Sequence, residues 1–436
     1  MGGYIPSTHR ERREMLSAIG LSSPEELFGQ VPASIRYPEF SMEGGLSEME
    51  VQREMEAMAA KNRVYESVFR GAGAYDHYIP AIVGAVTSKE TFVTAYTPYQ
   101  AEISQGILQS IFEYQTMICS LTGMDVSNAS VYDGATAAAE AIHMCVDAKR
   151  RVALVSEGLH PMALQTVQTY ADGADVVIRR IPLKDGATDL SALKSMLTDE
   201  IACVLLQSPN FYGQIENAQE IFAQAHANKS KAILSMNPIA CALYRTPAEL
   251  GADIAVGEGQ PLGMPLSFGG PYLGFMATGS ALMRKLPGRI VGQTTDLEGR
   301  RAFVLTLQAR EQHIRREKAL SNICSNQALC AMTAAVYLAA MGPEGLRGVA
   351  EACHAKAAYL REQLAAAGLE PVHGGEFFHE FLTQCPVAPE KLLDALKERG
   401  ILGGLPLGEK ILWCATEKNS RAEIDRLVAV VREVIA

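Results

Sequence analysis

The sequence predicts an α/β protein: a large domain around a mainly parallel, doubly covered sheet, followed by a smaller C-terminal α/β domain. Two observations predict it. Short β-type runs alternate with helical stretches through the middle of the chain, which requires crossover connections and so a parallel sheet covered on both faces. The 436 residues, 48% of them hydrophobic, also exceed what a single hydrophobic core usually supports.

Residues 1–62 are polar and helix-prone, punctuated by Pro24, Pro32 and Pro38, and read as an N-terminal helical arm. The large domain is expected over residues 63–311. Its strands are expected at Val152 to Ser156, Asp175 to Ile181, Ala202 to Leu206, Ala232 to Ser235, Asp253 to Val256 and Leu273 to Ala277. Helices fit between them, for example Ala135 to Lys149 and Leu190 to Leu197. Ligands of such sheets sit at the carboxyl ends of the strands. An arginine-rich stretch from Met283 to Lys318 follows. The smaller domain is expected over residues 312–436, with helices Leu320 to Met341 and Ala350 to Ala367, strands within Gly374 to Pro386 and Ile411 to Ala415, and a closing helix Arg421 to Ile435.

Composition narrows the function classes. A formal net charge of −10 disfavours nucleic-acid and anionic-membrane partners, which need clustered Lys and Arg. The nine cysteines stand mostly singly in apolar runs, without CxxC pairs, so buried thiols in a reducing compartment are expected rather than disulfides or zinc. The N-terminus carries early charge and no apolar h-region, Pro6 stands where a myristoylation signal needs Ser or Thr, and no apolar run approaches membrane-spanning length. A cytoplasmic protein is the expectation.

The most informative segment is GADIAVGEGQPLGMPLSFGGPYLG, from Gly251 to Gly274. A β-type run enters a Gly/Pro-rich loop, the outline of a cofactor-anchoring strand and loop. Among side chains only a primary amine forms an imine with pyridoxal phosphate, and the position that would carry it is Gln260, an amide. Asn237, in LSMNP, is a second absence of the same kind: a carboxylate there would keep a pyridine nitrogen protonated, whereas Asn237 is neutral. Its alternative reading is an ordinary Asn-Pro turn.

Four further features each allow two readings. Ser130 and Asp133, ahead of an alanine-rich helix, either cradle an anion on free backbone N–H groups or cap the helix. His160, at a strand end, either stacks on a ligand and relays protons or simply bonds a neighbouring carbonyl. Tyr96, Thr97 and Tyr99, around a Thr-Pro turn, either offer hydroxyls to a substrate or pack at a subunit contact, and both place the loop at an interface. The run Arg310 to Lys318 is a solvated helix face with ion pairs, or else holds a carboxylate through one arginine.

Taken together, TAYTPYQAEISQG, NASVYDGATAAAEA, GADIAVGEGQ with LSFGGPYLGF, and PGRIVG leading to LQAREQHIRREKALSNICSNQAL resemble the P-protein of the glycine cleavage system in its two-chain bacterial form, as does the opening YIPST. The resemblance covers essentially the whole chain. It implies an aspartate-aminotransferase-like fold, that of fold type I pyridoxal-phosphate-dependent transferases. With the GGP signature aligned, Gly259-Gln260 falls where the lysine-bearing half has His-Lys, and Asn237 falls at or near the pyridine-nitrogen carboxylate. The chain thus resembles the half without the lysine.

The implied chemistry is decarboxylation of glycine, with pyridoxal phosphate held by the lysine-bearing subunit 2 and the aminomethyl group passed to the lipoylated H-protein. Tyr96, Thr97 and Tyr99 are then expected to contribute to the partner's site. Gln260, Asn237, His160 and Ser130 are left as a degenerate cofactor site, with no catalytic residue in this chain alone and no metal. Two alternatives stand beside this: an independent enzyme using Lys285, and a binding or regulatory protein that kept the fold.

Overall fold

Seven strands form the central sheet of the computed structural model, in which residues 7–36 and 44–436 are described. Pro38 and the YIP of the opening YIPST lie outside the described residues. Across the sheet the strands run Val126–Ser127, Gly274–Thr278, Ile254–Glu258, Lys231–Met236, Ile201–Ser208, Val152–Ser156 and Val177–Ile181. The last five are parallel, and Gly274–Thr278 lies antiparallel to both of its neighbours. Val152–Ser156 and Gly274–Thr278 are buried at every position because helices cover both faces, so they read as unbroken apolar runs.

The helix Gly134–Cys145 lies against one face, its Ala137, Ala138, Ala139 and Ala141 all buried. Small side chains let its axis approach the sheet closely. The opposite face, through Phe275 of the sheet itself, meets Tyr114 and Tyr337. The helix stops at Cys145, short of the expected Lys149, because the Asp147 carboxylate accepts from Lys149 N and Arg150 N and turns the chain.

Other expectations need correction. The arginine-rich stretch contains an antiparallel hairpin, Ile290–Thr295 with Arg301–Thr306. The helix expected from Leu320 begins only at Ala328: Ser321 Oγ accepts from Ile323 N, and Asn326 Nδ2 bonds Ala129 O and Ser130 Oγ, so these polar side chains engage the backbone elsewhere. The run Ala328–Ala366 is two helical segments meeting at Gly342, where φ 61° and ψ 179° followed by Pro343 break the ladder. Both segments pack into the large core, through Ala331, Ala334 and Tyr337 before the break and Leu346, Ala350 and Cys353 after it, and the helix joins the C-terminal core only from Ala357, beyond the boundary expected at residue 312. By length and composition alone the run is apolar enough to cross a bilayer, against the expectation that none is, but the break at Gly342 divides it and both parts pack against the protein core.

The smaller domain is a three-stranded antiparallel sheet, Glu380–Gln384, Lys410–Cys414 and Leu405–Leu407, with Pro389–Glu398 and Arg421–Ile435 packed around buried Trp413. Ser67–Val68 pairs in parallel with Ile401–Leu402, so the first residues assigned to the large domain belong here. The chain divides into two compact units, Met1–Arg63 and Val64–Ala436. The first holds His9–Ala18 and Glu48–Ala59, each opened by a capping box, from Thr8 with Glu11 and from Ser47 with Glu50.

Gly213 joins the two domains at close range. It has φ +87°, and a Cβ there would lie 2.0 Å from the Glu380 carbonyl oxygen. Gly213→Ala is expected to lower unfolding free energy by more than about 2 kcal/mol, combining backbone strain with a clash that backbone cannot relieve cheaply. Urea denaturation monitored at Trp413 checks it.

Candidate functional site

The carboxyl ends of the parallel strands open onto a cavity of about 410 Å³. Its walls come from Asp133 and Gly134 at a helix start, His160 before the helix Pro161–Gly173, Asn237 and Glu258 at strand ends, the segment 72–75, and His379 and Glu380 from the smaller domain. This is where a doubly wound sheet places its ligand. The side chains decide what that ligand can be.

Glu258 dominates the floor. Its Oε2 accepts from Gly134 N at 3.0 Å, and its Oε1 accepts from Gln260 N at 3.0 Å and Leu273 N at 2.9 Å. Burial, with nearby Asp133 adding repulsion, pushes the carboxyl up to about 7 although three N–H groups favour its charge. Asp133 caps the same helix, its Oδ1 taking Thr136 N at 2.7 Å. The helix start that sequence offered as an anion cradle is therefore occupied by two carboxyl groups of the chain itself.

The other expected site residues separate. Asn237 lines the cavity, with Oδ1 accepting from Ile239 N at 2.9 Å and Ala240 N at 3.3 Å, while its buried Nδ2 has no partner among the described residues. His160 also lines it, but Nε2 bonds Ala72 O at 3.0 Å and Nδ1 accepts from Met162 N at 3.2 Å. Burial lowers its pKa, so the neutral ring acts as a helix cap and a tie. Ser130 does not line the cavity: it is fully buried, and its hydroxyl receives Asn326 Nδ2 at 2.7 Å.

Gln260 is likewise turned away from the cavity. Its amide accepts from Tyr75 N at 2.9 Å and donates to Tyr75 O at 2.9 Å and Met264 O at 2.8 Å. An amide can do both; an ammonium only donates. The position expected to lack a nucleophile thus holds the segment 72–78 in place. Glu380 holds the same segment, accepting from Ala72 N at 2.6 Å and Tyr75 Oη at 2.7 Å, with burial raising it to about 7.

His77 Nδ1 meets Glu417 Oε2 at 2.7 Å, and Cys353 donates its thiol to the same oxygen at 3.2 Å. These three could in principle surround a cation, since their ligand atoms lie within 4.8 Å of one another. The thiol, however, is pushed far up by burial and stays protonated, and the trio is already bonded internally. Burial alone would raise Glu417, but bonds from His77 and Tyr78 N hold it at about 2. Sequence reasoning missed Glu258, Glu380 and Tyr75. A glutamate set between two glycines at the end of a buried strand was the one available signal.

These residues do not fit pyridoxal phosphate. No lysine lines the cavity, and the ring-nitrogen position holds an amide. A phosphate at the helix start would find Gly134 N and Thr136 N already taken by the carboxyl groups of Glu258 and Asp133. Lys285 does not supply the amine: its Nζ bonds Met144 O at 2.9 Å, near the C-terminus of the helix whose N-terminus faces the cavity. That separation is roughly 15 Å along the axis. Arg310 to Lys318 forms two short turns rather than one helix face, and Arg310 is half-buried with its guanidinium on Leu286 O. Tyr96, Thr97 and Tyr99 stand apart from the cavity, with Tyr96 86% exposed.

The glycine cleavage system P-protein family model matches residues 2–431. A probable glycine dehydrogenase (decarboxylating) subunit 1 from Moorella thermoacetica is 52% identical, covering 99% of this chain and 100% of that protein. The protein of the same name from Desulforamulus reducens is 50% identical, covering 98% of each. Among solved structures, glycine decarboxylase (P-protein) of the glycine cleavage system in inhibitor-bound form superposes with a TM-score of 0.94 at 41% identity, over 99% of this chain and 100% of that one. An aspartate aminotransferase from Thermus thermophilus, at 15% identity and a TM-score of 0.60 over 85% of this chain and 99% of that one, shares the fold.

Three buried carboxyl groups, Glu140, Glu258 and Glu380, are raised to about 7. The native state then holds their protons more tightly than the unfolded chain does, so the stability each contributes is full below the ordinary value of 4.5 and is lost as pH rises through about 7. His143, His160 and His379, lowered by burial, contribute in the opposite direction, so the carboxyl share is read by comparison: Glu380→Gln is expected to lose less stability than the unsubstituted chain between pH 5 and 8, measured as denaturant midpoints.

Proposed function

The chain belongs to the glycine cleavage system P-protein family and serves as a subunit of its glycine-decarboxylating enzyme, and from that premise we propose which part of the work it does. It is the half that carries no cofactor. Pyridoxal phosphate sits on a lysine-bearing subunit 2, which binds glycine, and the aminomethyl group leaves on the lipoyl arm of H-protein. One observation carries this reading: Glu258 fills the backbone N–H position at the helix start that a phosphate would need. The Gln260 clamp on Tyr75 supports it, because the amine's place has been given to a structural amide.

The contribution to the partner's site comes from the loop of Tyr96, Thr97 and Tyr99. Its exposure supports an interface role, since Tyr96 and Ile103 are large side chains left 86% and 81% uncovered. Hydroxyl donors beside a decarboxylating substrate would fix its orientation and help exclude water. Free cysteines throughout, five of them buried, suit a reducing cytoplasm.

The isolated chain is expected to show no absorbance from a bound cofactor and none trapped by borohydride, and coexpression with the lysine-bearing subunit to yield a complex that exchanges bicarbonate into glycine. Gln260→Lys in the isolated chain is expected to remain colourless and to lose about 2–4 kcal/mol of stability, because Tyr75 N–H loses its acceptor and a charge is buried. Decarboxylation by the isolated chain, or a coloured Gln260→Lys variant, would overturn the proposal.

A further inference from the structure

Arg289, in the PGRIVG run, is 4% exposed and has no acidic partner among the described residues. Nη1 donates to Asn326 Oδ1 at 3.2 Å and Nη2 to Tyr99 Oη at 3.0 Å, both neutral acceptors, while the buried Nε has no partner among the described residues. Most of the guanidinium fork is uncommitted. A buried guanidinium gives up hydration that neutral neighbours only partly replace, so such a group is normally matched by an anion.

The fork is also held still. Its guanidinium lies over the Tyr99 ring at 5.2 Å, and its partner Asn326 is pinned by Ala129 O and Ser130 Oγ. Arg289 lines a cavity of about 270 Å³ with Tyr96, Thr97, Ser325 and Asn326, separate from the one that Glu258 floors. A fixed cationic fork with polar neighbours, opening beside an exposed loop, is a carboxylate receptor in its chemistry.

We propose that this cavity binds a carboxylate and, resting on the function proposed above, that the carboxylate is that of glycine held in the partner's site. Arg289 donates to it from the uncommitted N–H groups of the fork. Tyr99, whose hydroxyl oxygen accepts from Nη2, holds the fork from behind rather than lining the cavity itself. The pocket then selects an amino acid over a plain amine: an amine without a carboxylate leaves the buried cation unmatched.

The test uses the reconstituted complex, with Arg289→Met and Arg289→Lys in this chain. Glycine KM is expected to rise about ten- to a hundredfold for Arg289→Met and by less for Arg289→Lys, which keeps the charge but loses the fork. Inhibition by methylamine, which has no carboxylate, is expected to stay unchanged in both. An unchanged glycine KM overturns the proposal, and so does a loss of methylamine affinity in step with glycine, as a merely structural arginine would give. If the wild-type complex fails to decarboxylate glycine, the functional reading falls and a second measurement judges the cavity alone. Carboxyl-labelled acetate is expected to broaden in NMR with the wild-type chain and not with Arg289→Met; equal behaviour of the two overturns it.

Discussion

One buried carboxyl group fixes the geometry of the cavity. Glu258 gathers three backbone N–H groups from three places: Gly134 at the start of a covering helix, Gln260 in the loop after its own strand, and Leu273 leading into the antiparallel strand. Each of these N–H groups would otherwise be a buried donor without a partner, so the trio sets how helix, loop and strand converge. Structural and functional consequences follow from the same contact. The N–H that stabilises the floor is unavailable to an outside anion.

The rest of the site is arranged around a strap, residues 72–78, that crosses between the two domains. From the large domain Gln260 and His160 hold it, and from the smaller one Glu380, Glu417 and Lys418. Each of these is a polar side chain whose most obvious reading would be catalytic. In this chain they hold the strap, which leads through two short helices, Ala81–Thr87 and Glu90–Val93, to the exposed Tyr96 loop.

The parts legible in the sequence are those where periodicity reports burial. Val152–Ser156 and Arg421–Ile435 agree with expectation residue for residue, since an unbroken apolar run and a helical stripe leave little freedom. The hairpin Ile290–Thr295 was obscured because only its first residues are buried while its far end is exposed, so neither period stands out. Asn237 and His160 were legible as cavity residues from the strand-end rule alone. The role of Gln260 was not, because its partner Tyr75 lies 185 residues away, and an amide gives no hint of the backbone it will bond. Ser130 misled for a related reason: a small polar residue near a helix start suggests a cradle, whereas its φ of 133° and its bond to Asn326 turn it into the wall behind Arg289.

The two-way bond between the Gln260 amide and the Tyr75 backbone restricts what position 260 can hold. An ammonium there could replace the donor but not the acceptor, and Tyr75 N–H would be left unpaired. The same amide also donates to Met264 O, and the backbone N–H of the same residue is taken by Glu258. Side chain and backbone of one residue thus close two loops at once, so the strap and the Gly/Pro-rich loop are coupled: loosening either frees the other.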